Sequence, residues 1–126
     1  MIIGLGSDIV EHSANAKLLE FDELGRFPKR ILSDAEHTIY LQTKNSTYIA
    51  GRFAAKEAIL KALGTGMHDE ISLKDIYIST SASGQPEVSL TGYVKSLADQ
   101  MKVNKWHLTI SHSESYSIAF AIAEAL

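Results

Sequence analysis

A run of helix formers from near Ser46 to Leu63, closed by Gly64-Thr65-Gly66, dictates how the rest of this 126-residue chain can be arranged. A chain of this length has room for one modest core, so a helix this long lies through its middle and the other elements pack against it. Gly64 is the expected left-handed stop. At helical spacing, Ile49, Phe53, Leu60 and Leu63 form the core stripe. Lys56 falls inside that stripe, where a lysine ordinarily snorkels its head to solvent. Glu57 and Lys61 lie along one edge beside Ala50 and Ala54, whose small side chains let another backbone or a ligand come close. Four residues apart, Glu57 and Lys61 also suit a surface ion pair worth about 0.2–0.5 kcal/mol. Two readings of this helix stand side by side: a solvated charged face, or a site for a metal and a phosphate.

The flanking segments predict the partners of that helix. Residues 1 to 10 read as a strand, with Ile3, Leu5, Ser7 and Ile9 on one face and Ile2, Gly4, Gly6, Asp8 and Val10 on the other. Ser13 is placed to cap a helix over 14 to 21, and "LGRFP" around Gly25 and Pro28 breaks the chain. Ser33-Asp34-Ala35-Glu36 is a capping box opening a helix to Leu41. "DIYIST" and "PEVSL" flank Gly84 as a hairpin. Thr91 is placed to cap a helix with Val94, Leu97, Ala98 and Met101 inward, ending near Asn104. "WHLTISH" and "YSIAFAIAEA" alternate as two strands around Ser113 to Ser115. Helices early and hairpins late predict an α+β class dominated by antiparallel pairing, in one domain over 1–126.

Composition narrows the function classes. The net charge of −3 does not suit a general nucleic-acid binder. No apolar run reaches the ~20 residues needed to cross a bilayer, and "MIIGLGSDIVE" lacks the basic start of a signal peptide. With no cysteine, thiol chemistry and Cys-ligated zinc are excluded, and a cytoplasmic setting fits.

Two further places carry polar residues of interest. On the first strand, Asp8 shares its face with Gly4 and Gly6, a carboxylate beside bare backbone. A tight strand edge explains the glycines equally well, and without a third glycine and a following helix they make no dinucleotide fingerprint. Near the C-terminus, Trp106, Leu108, Ile110 and His112 share a face, and His112 reads either as a structural or as a functional histidine. Taken together, Asp8 and Glu57 suit a hard cation such as Mg²⁺, which keeps waters and takes substrate phosphates as ligands. Lys61 and Arg52 suit phosphate oxygens, and the free N–H groups around Gly64 and Gly66 add donors.

"GLGSDIVE", "RFAAKEAILKALGTG" and "LTISHS" in this order resemble the opening, the diagnostic helix and the C-terminal strand of the holo-acyl-carrier-protein synthases. These are small phosphopantetheinyl transferases, and the resemblance spans almost the whole chain. It implies transfer of phosphopantetheine from coenzyme A to a serine of apo acyl carrier protein, with release of adenosine 3',5'-bisphosphate. By the same resemblance Asp8 and Glu57 are Mg²⁺ ligands, and Lys61 contacts the diphosphate. Arg52 matches an arginine near the 3'-phosphate, Gly64 and Gly66 the nucleotide-side loop, Pro86 its turn, and Ser111 and His112 the strand end against coenzyme A. Glu57, or a metal-bound water held by it, is the implied base. A homotrimer with active sites between subunits is implied as well.

Two positions depart from the family pattern. Ala14 stands where an arginine that grips the acidic carrier is usual, and Gln85 replaces the lysine of a Gly-Lys-Pro turn. Lys17, Arg26, Lys29 and Arg30 are the remaining basic candidates for docking the carrier. A transferase serving polyketide or peptide-synthesis carriers, and a non-catalytic coenzyme A-binding module, are the alternatives to test.

Overall fold

The structure is a computed structural model that describes every residue except Phe21 and Glu23. Its elements run β1 (Ile2–Glu11), α1 (His12–Glu20), α2 (Arg26–Ile31), α3 (Asp34–Thr43), α4 (Ser46–Ala62), a 3₁₀ turn (Leu73–Asp75), β2 (Ile76–Thr80), β3 (Pro86–Leu90), α5 (Gly92–Gln100), β4 (Lys105–His112) and β5 (Tyr116–Glu124). Strands β1, β5 and β4 form one antiparallel sheet in that order, and β2 and β3 form a separate hairpin. The expected α+β class is therefore the observed one.

Helix α4 is the axis. Asn45 caps it by accepting a hydrogen bond from the Thr47 N–H at 2.9 Å, and Gly64 takes the left-handed conformation (φ 74°) just past its end. Ile49, Ala50, Ala54, Ala55, Ala58, Ile59, Leu60 and Ala62 are all buried. The alanine edge is covered by the chain's own first strand. A methyl group built on Gly4 would lie 1.8 Å from the Ala62 carbonyl oxygen, and one on Gly6 would lie 1.9 Å from that of Ala58. These glycines thus let β1 lie directly on the helix backbone. That contact also decides which strand face turns inward: Gly4, Gly6, Asp8 and Val10 face α4, and Leu5 and Ile9 face outward at 57 and 60% exposure.

Lys56 corrects the snorkelling expectation. Its ammonium is wholly buried and donates to Glu36 Oε1 at 2.6 Å, the Ile31 carbonyl at 2.7 Å and the Leu73 carbonyl at 3.0 Å. All three acceptors lack a proton of their own, so all three ammonium protons are used. Burial pushes the Lys56 pKa down, and the charge and hydrogen bond of Glu36 oppose that shift. Glu36 also accepts from the Ser33 and Ile78 backbone N–H groups, at 2.8 and 2.9 Å. The capping box is real, and its glutamate has a second task. One ion pair ties α2, α3, the 3₁₀ turn and β2 to the central helix.

Other local expectations are corrected. Ser13 donates to Glu11 rather than capping α1, and α1 begins two residues before the expected position 14, at His12. The expected last residue of that helix, Phe21, lies outside the described residues. The "LGRFP" break is partly helical: Pro28 sits in the first turn of α2, where a missing N–H costs nothing. The Asp22 carboxylate receives the Arg26 and Phe27 N–H groups at 2.9 and 2.7 Å. Thr91 donates to Asp75 and does not cap α5.

Candidate functional site

Strand β1 and helix α4 run side by side, so Asp8, two residues beyond Gly6 on the same strand face, emerges where Glu57 leaves the helix. Both carboxylates line one open cavity of about 440 Å³ with Ile9, Val10, Glu11, Ala14, Asn15, Leu18 and Phe53. The Glu57 carboxyl is held above the usual glutamate range, chiefly by burial and next by the Asp8 charge, with Lys61 opposing. Lys61 does not pair with Glu57 across one helical turn. Its ammonium turns instead to Asp8 Oδ1 at 3.1 Å and the Ser7 carbonyl at 3.0 Å. The i,i+4 surface pair is therefore not made.

This arrangement fits a divalent cation. Asp8 and Glu57 line one cavity, and the burial and the neighbouring Asp8 charge that hold the Glu57 carboxyl up disfavour its anion in a way that a cation offsets. No cluster of three or more His, Cys, Asp or Glu stands in a metal-holding arrangement among the described residues. The donor set is thus an open two-carboxylate site, the kind Mg²⁺ occupies while keeping waters and substrate oxygens.

The bare-backbone reading of Gly4 and Gly6 is corrected: α4 fills the space in front of them. Gly64 and Gly66 differ, since no atom of the described residues lies within 4 Å of a methyl group built on either. Their loop is open at the C-terminal end of α4.

Arg52 and His112 form a second cluster along α4. The Arg52 guanidinium lies 4.7 Å from the centre of the Tyr48 ring, and its Nη2 donates to Thr80 Oγ1 at 3.4 Å. Its buried Nε finds no partner among the described residues, nor does the Tyr48 hydroxyl. The His112 ring rests on Gly51, where an added methyl group would meet its Cε1 at 2.8 Å. Burial lowers the His112 pKa first, and the nearby His12 and Arg52 lower it further. Ser111, paired with Ile118, points to the opposite face of the sheet. Pro86 opens β3, paired with Thr80, the residue that meets Arg52. None of Arg52, Gly64, Gly66, Pro86, Ser111 and His112 lines the cavity of Asp8 and Glu57. The predicted residues stand as two groups on one chain.

A larger depression of about 650 Å³ adjoins the carboxylate cavity. Ala14, Lys17, Leu18, Asp22, Arg26, Phe27 and Arg30 line it, and Ala14 and Leu18 belong to both. Lys29 lines a different hollow, with His37, Tyr40 and Lys44.

Sequence reasoning missed three polar residues. Glu36 is the buried partner of Lys56. Ser117 is fully buried, and both His12 and His112 bond its hydroxyl at 2.7 Å. A signal for Ser117 existed: it heads an inward-facing row whose other members, Ala119, Ala121 and Ala123, are apolar. Nothing in the sequence pointed to His12, because its partner is more than a hundred residues away.

Comparison with known proteins bears on the whole chain. A family model described as the 4'-phosphopantetheinyl transferase superfamily matches residues 4–121. The chain is 42% identical to a holo-[acyl-carrier-protein] synthase of Anoxybacillus flavithermus, over 100% of this chain and 98% of that one. It is 39% identical to a holo-[acyl-carrier-protein] synthase of Hydrogenovibrio crunogenus, over 99% and 98%. A holo-ACP-synthase structure from Plasmodium yoelii superposes with a TM-score of 0.89 at 34% identity, covering 100% of this chain and 97% of that one. The Helicobacter pylori holo-[acyl-carrier-protein] synthase in complex with coenzyme A gives 0.82 at 32%, covering 95% and 99%. With a carboxylate pair, a lysine on one of its members and this end-to-end likeness, the chain belongs to the 4'-phosphopantetheinyl transferase superfamily.

Proposed function

We propose that this chain transfers the 4'-phosphopantetheine group of coenzyme A to a serine of apo acyl carrier protein, in fatty acid biosynthesis, releasing adenosine 3',5'-bisphosphate. The observation that carries this reading is Asp8 and Glu57 facing one cavity, with Lys61 bonded to Asp8. It sits in a chain that aligns over its length with holo-acyl-carrier-protein synthases. A cytoplasmic enzyme with a single domain over 1–126 is part of the reading.

Asp8 and Glu57 would hold Mg²⁺ in this scheme. A cation bound there would supply positive charge to offset that of the diphosphate. Glu57, whose carboxyl is already raised by burial and by Asp8, is suited to take the proton of the carrier serine. Lys61 is half exposed and adjacent, so its ammonium is free to turn from Asp8 to the phosphate that departs with the nucleotide. Arg52 offers its guanidinium to the 3'-phosphate. The open loop of Gly64 and Gly66, with Pro86, Ser111 and His112, borders the nucleotide.

Two observations support a homotrimer with active sites between subunits. Arg52 and His112 line no wall of the Asp8–Glu57 cavity, which suits a coenzyme A held between the carboxylates of one copy and the Arg52 cluster of another. Leu5, Ile9, Ile118 and Phe120 also leave an apolar patch on the outer sheet face, 41 to 60% exposed, of the kind that subunit contacts cover.

The test is to incubate the protein with coenzyme A, Mg²⁺ and each of several apo carriers, from fatty acid, polyketide and peptide synthesis, and weigh the products. A gain of one phosphopantetheine on the fatty-acid carrier is expected. Gain only on another carrier would reassign the substrate, and coenzyme A binding with no gain on any would leave a binding module.

A further inference from the structure

The buried hydroxyl of Ser117 joins two histidines from opposite ends of the chain. His112 Nδ1 lies 2.7 Å from Ser117 Oγ, and His12 Nε2 lies 2.7 Å from the same oxygen. His12 Nδ1 lies 3.1 Å from the Glu114 carbonyl. The carbonyl can only accept, so His12 Nδ1 carries a proton, and in neutral His12 the Nε2 atom is an acceptor. Ser117 has a single proton, and it goes to His12 Nε2. Toward His112 the Ser117 oxygen is then an acceptor, and His112 Nδ1 must donate. The Nε2 atom of neutral His112 is left with a lone pair, on the side of the ring nearest Gly51 and beside Arg52.

We propose that His12 and Ser117 are positioning residues for His112. They fix its ring and its tautomer, so that Nε2 presents a hydrogen-bond acceptor to the nucleotide end of coenzyme A. Arg52 is a pure donor and suits anionic phosphate oxygens, whereas His112 Nε2 takes a hydroxyl or amino hydrogen of the same ligand. The cluster thus reads both kinds of group that a phosphorylated nucleoside offers. The role of the ligand rests on the transfer function proposed above; the tautomer does not.

The test has two readouts. Long-range ¹H–¹⁵N spectra at about pH 8, above the ordinary histidine range, should show His112 protonated at Nδ1 in the unsubstituted protein. In His12→Phe the Ser117 proton loses its acceptor and turns to His112, so the Nε2-protonated form should take over. Ser117→Ala should also lose the Nδ1 form, and His12→Gln, which keeps an acceptor oxygen, should retain it. In steady-state kinetics His12→Phe and Ser117→Ala should raise the KM for coenzyme A roughly tenfold, as for one lost hydrogen bond. The carrier KM should be unchanged, and His12→Gln should stay near the original. His112 protonated at Nε2 in the unsubstituted protein would overturn the relay. A shifted tautomer with an unchanged coenzyme A KM would overturn the positioning role. Absence of any transfer by the unsubstituted protein would instead sink the function, and the spectra alone would then decide the relay.

Discussion

Two lysines five residues apart on α4 have opposite fates, and the difference is one of partners. Lys56 is wholly buried among three protein acceptors, whereas Lys61 holds Asp8 with half its side chain in solvent. Lys56→Met leaves the Glu36 carboxylate buried without its counter-charge and should cost about 3–5 kcal/mol of stability. Lys61→Met removes an exposed pair worth about 0–1 kcal/mol, yet should raise the barrier to transfer by about 2.7–4 kcal/mol. Melting temperature and turnover measured on both variants separate the two roles; equal turnover losses with unchanged melting would erase the distinction. Glu57 adds a pH dependence. Its folded pKa is raised, so its contribution to stability is full below the ordinary glutamate pKa of about 4.3 and is lost as pH rises through the higher folded value. Without metal, Glu57→Gln should therefore melt higher than the parent at neutral pH, with the gain vanishing in acid. Mg²⁺ should raise the melting temperature of the parent and not that of the variant. Thermal scans across pH, with and without Mg²⁺, check both statements.

At the scale of elements, the contact between β1 and α4 decides where the carboxylates meet. Gly6→Ala would push a methyl group into the Ala58 carbonyl, a backbone atom with no side-chain freedom to yield. It should cost stability near the top of the ~1–3 kcal/mol range for overpacking, and should lower Mg²⁺-dependent transfer by moving Asp8. Thermal melts and activity at saturating Mg²⁺ measure the two effects. The same contact explains what was legible in the sequence. The period of α4, the capping box at Ser33 and the alternation of β4 and β5 are local signals, and each gave its element. Asp8 and Glu57 were readable as candidates because a charge on a glycine-rich strand and a charge on an alanine edge are both unusual. The partners of Lys56, Lys61 and His112 were not readable. Glu36, Asp8 and Ser117 are chosen by tertiary packing, and helical spacing alone offered Lys61 the wrong partner, Glu57. The inward turn of the glycine face was also hidden, since hydrophobicity alone would bury Leu5 and Ile9.

For the whole molecule, net charge and surface shape govern what it meets. The chain is net negative, so an acidic carrier must be captured by a local basic patch. Lys17, Arg26 and Arg30 line the depression that adjoins the carboxylate cavity, and Ala14 sits on the shared wall. Lys17→Glu or Arg26→Glu should raise the carrier KM severalfold and spare that of coenzyme A, and Ala14→Arg should lower it most at low salt. Lys29, which lines a separate hollow, should be silent. Steady-state kinetics at two ionic strengths tests this patch, and an unmoved carrier KM would put docking elsewhere. On the outer sheet face, Ile118→Glu should split the proposed homotrimer into folded monomers and abolish transfer, read by sedimentation and circular dichroism.

The carboxylate pair is the centre of the account, and the rate of phosphopantetheine transfer against Mg²⁺ concentration for the parent and Asp8→Ala addresses it most directly. The parent should show saturable dependence on Mg²⁺, and Asp8→Ala should be folded and without measurable transfer at any Mg²⁺ concentration. Near-parental transfer by folded Asp8→Ala at limiting Mg²⁺ would contradict the assignment.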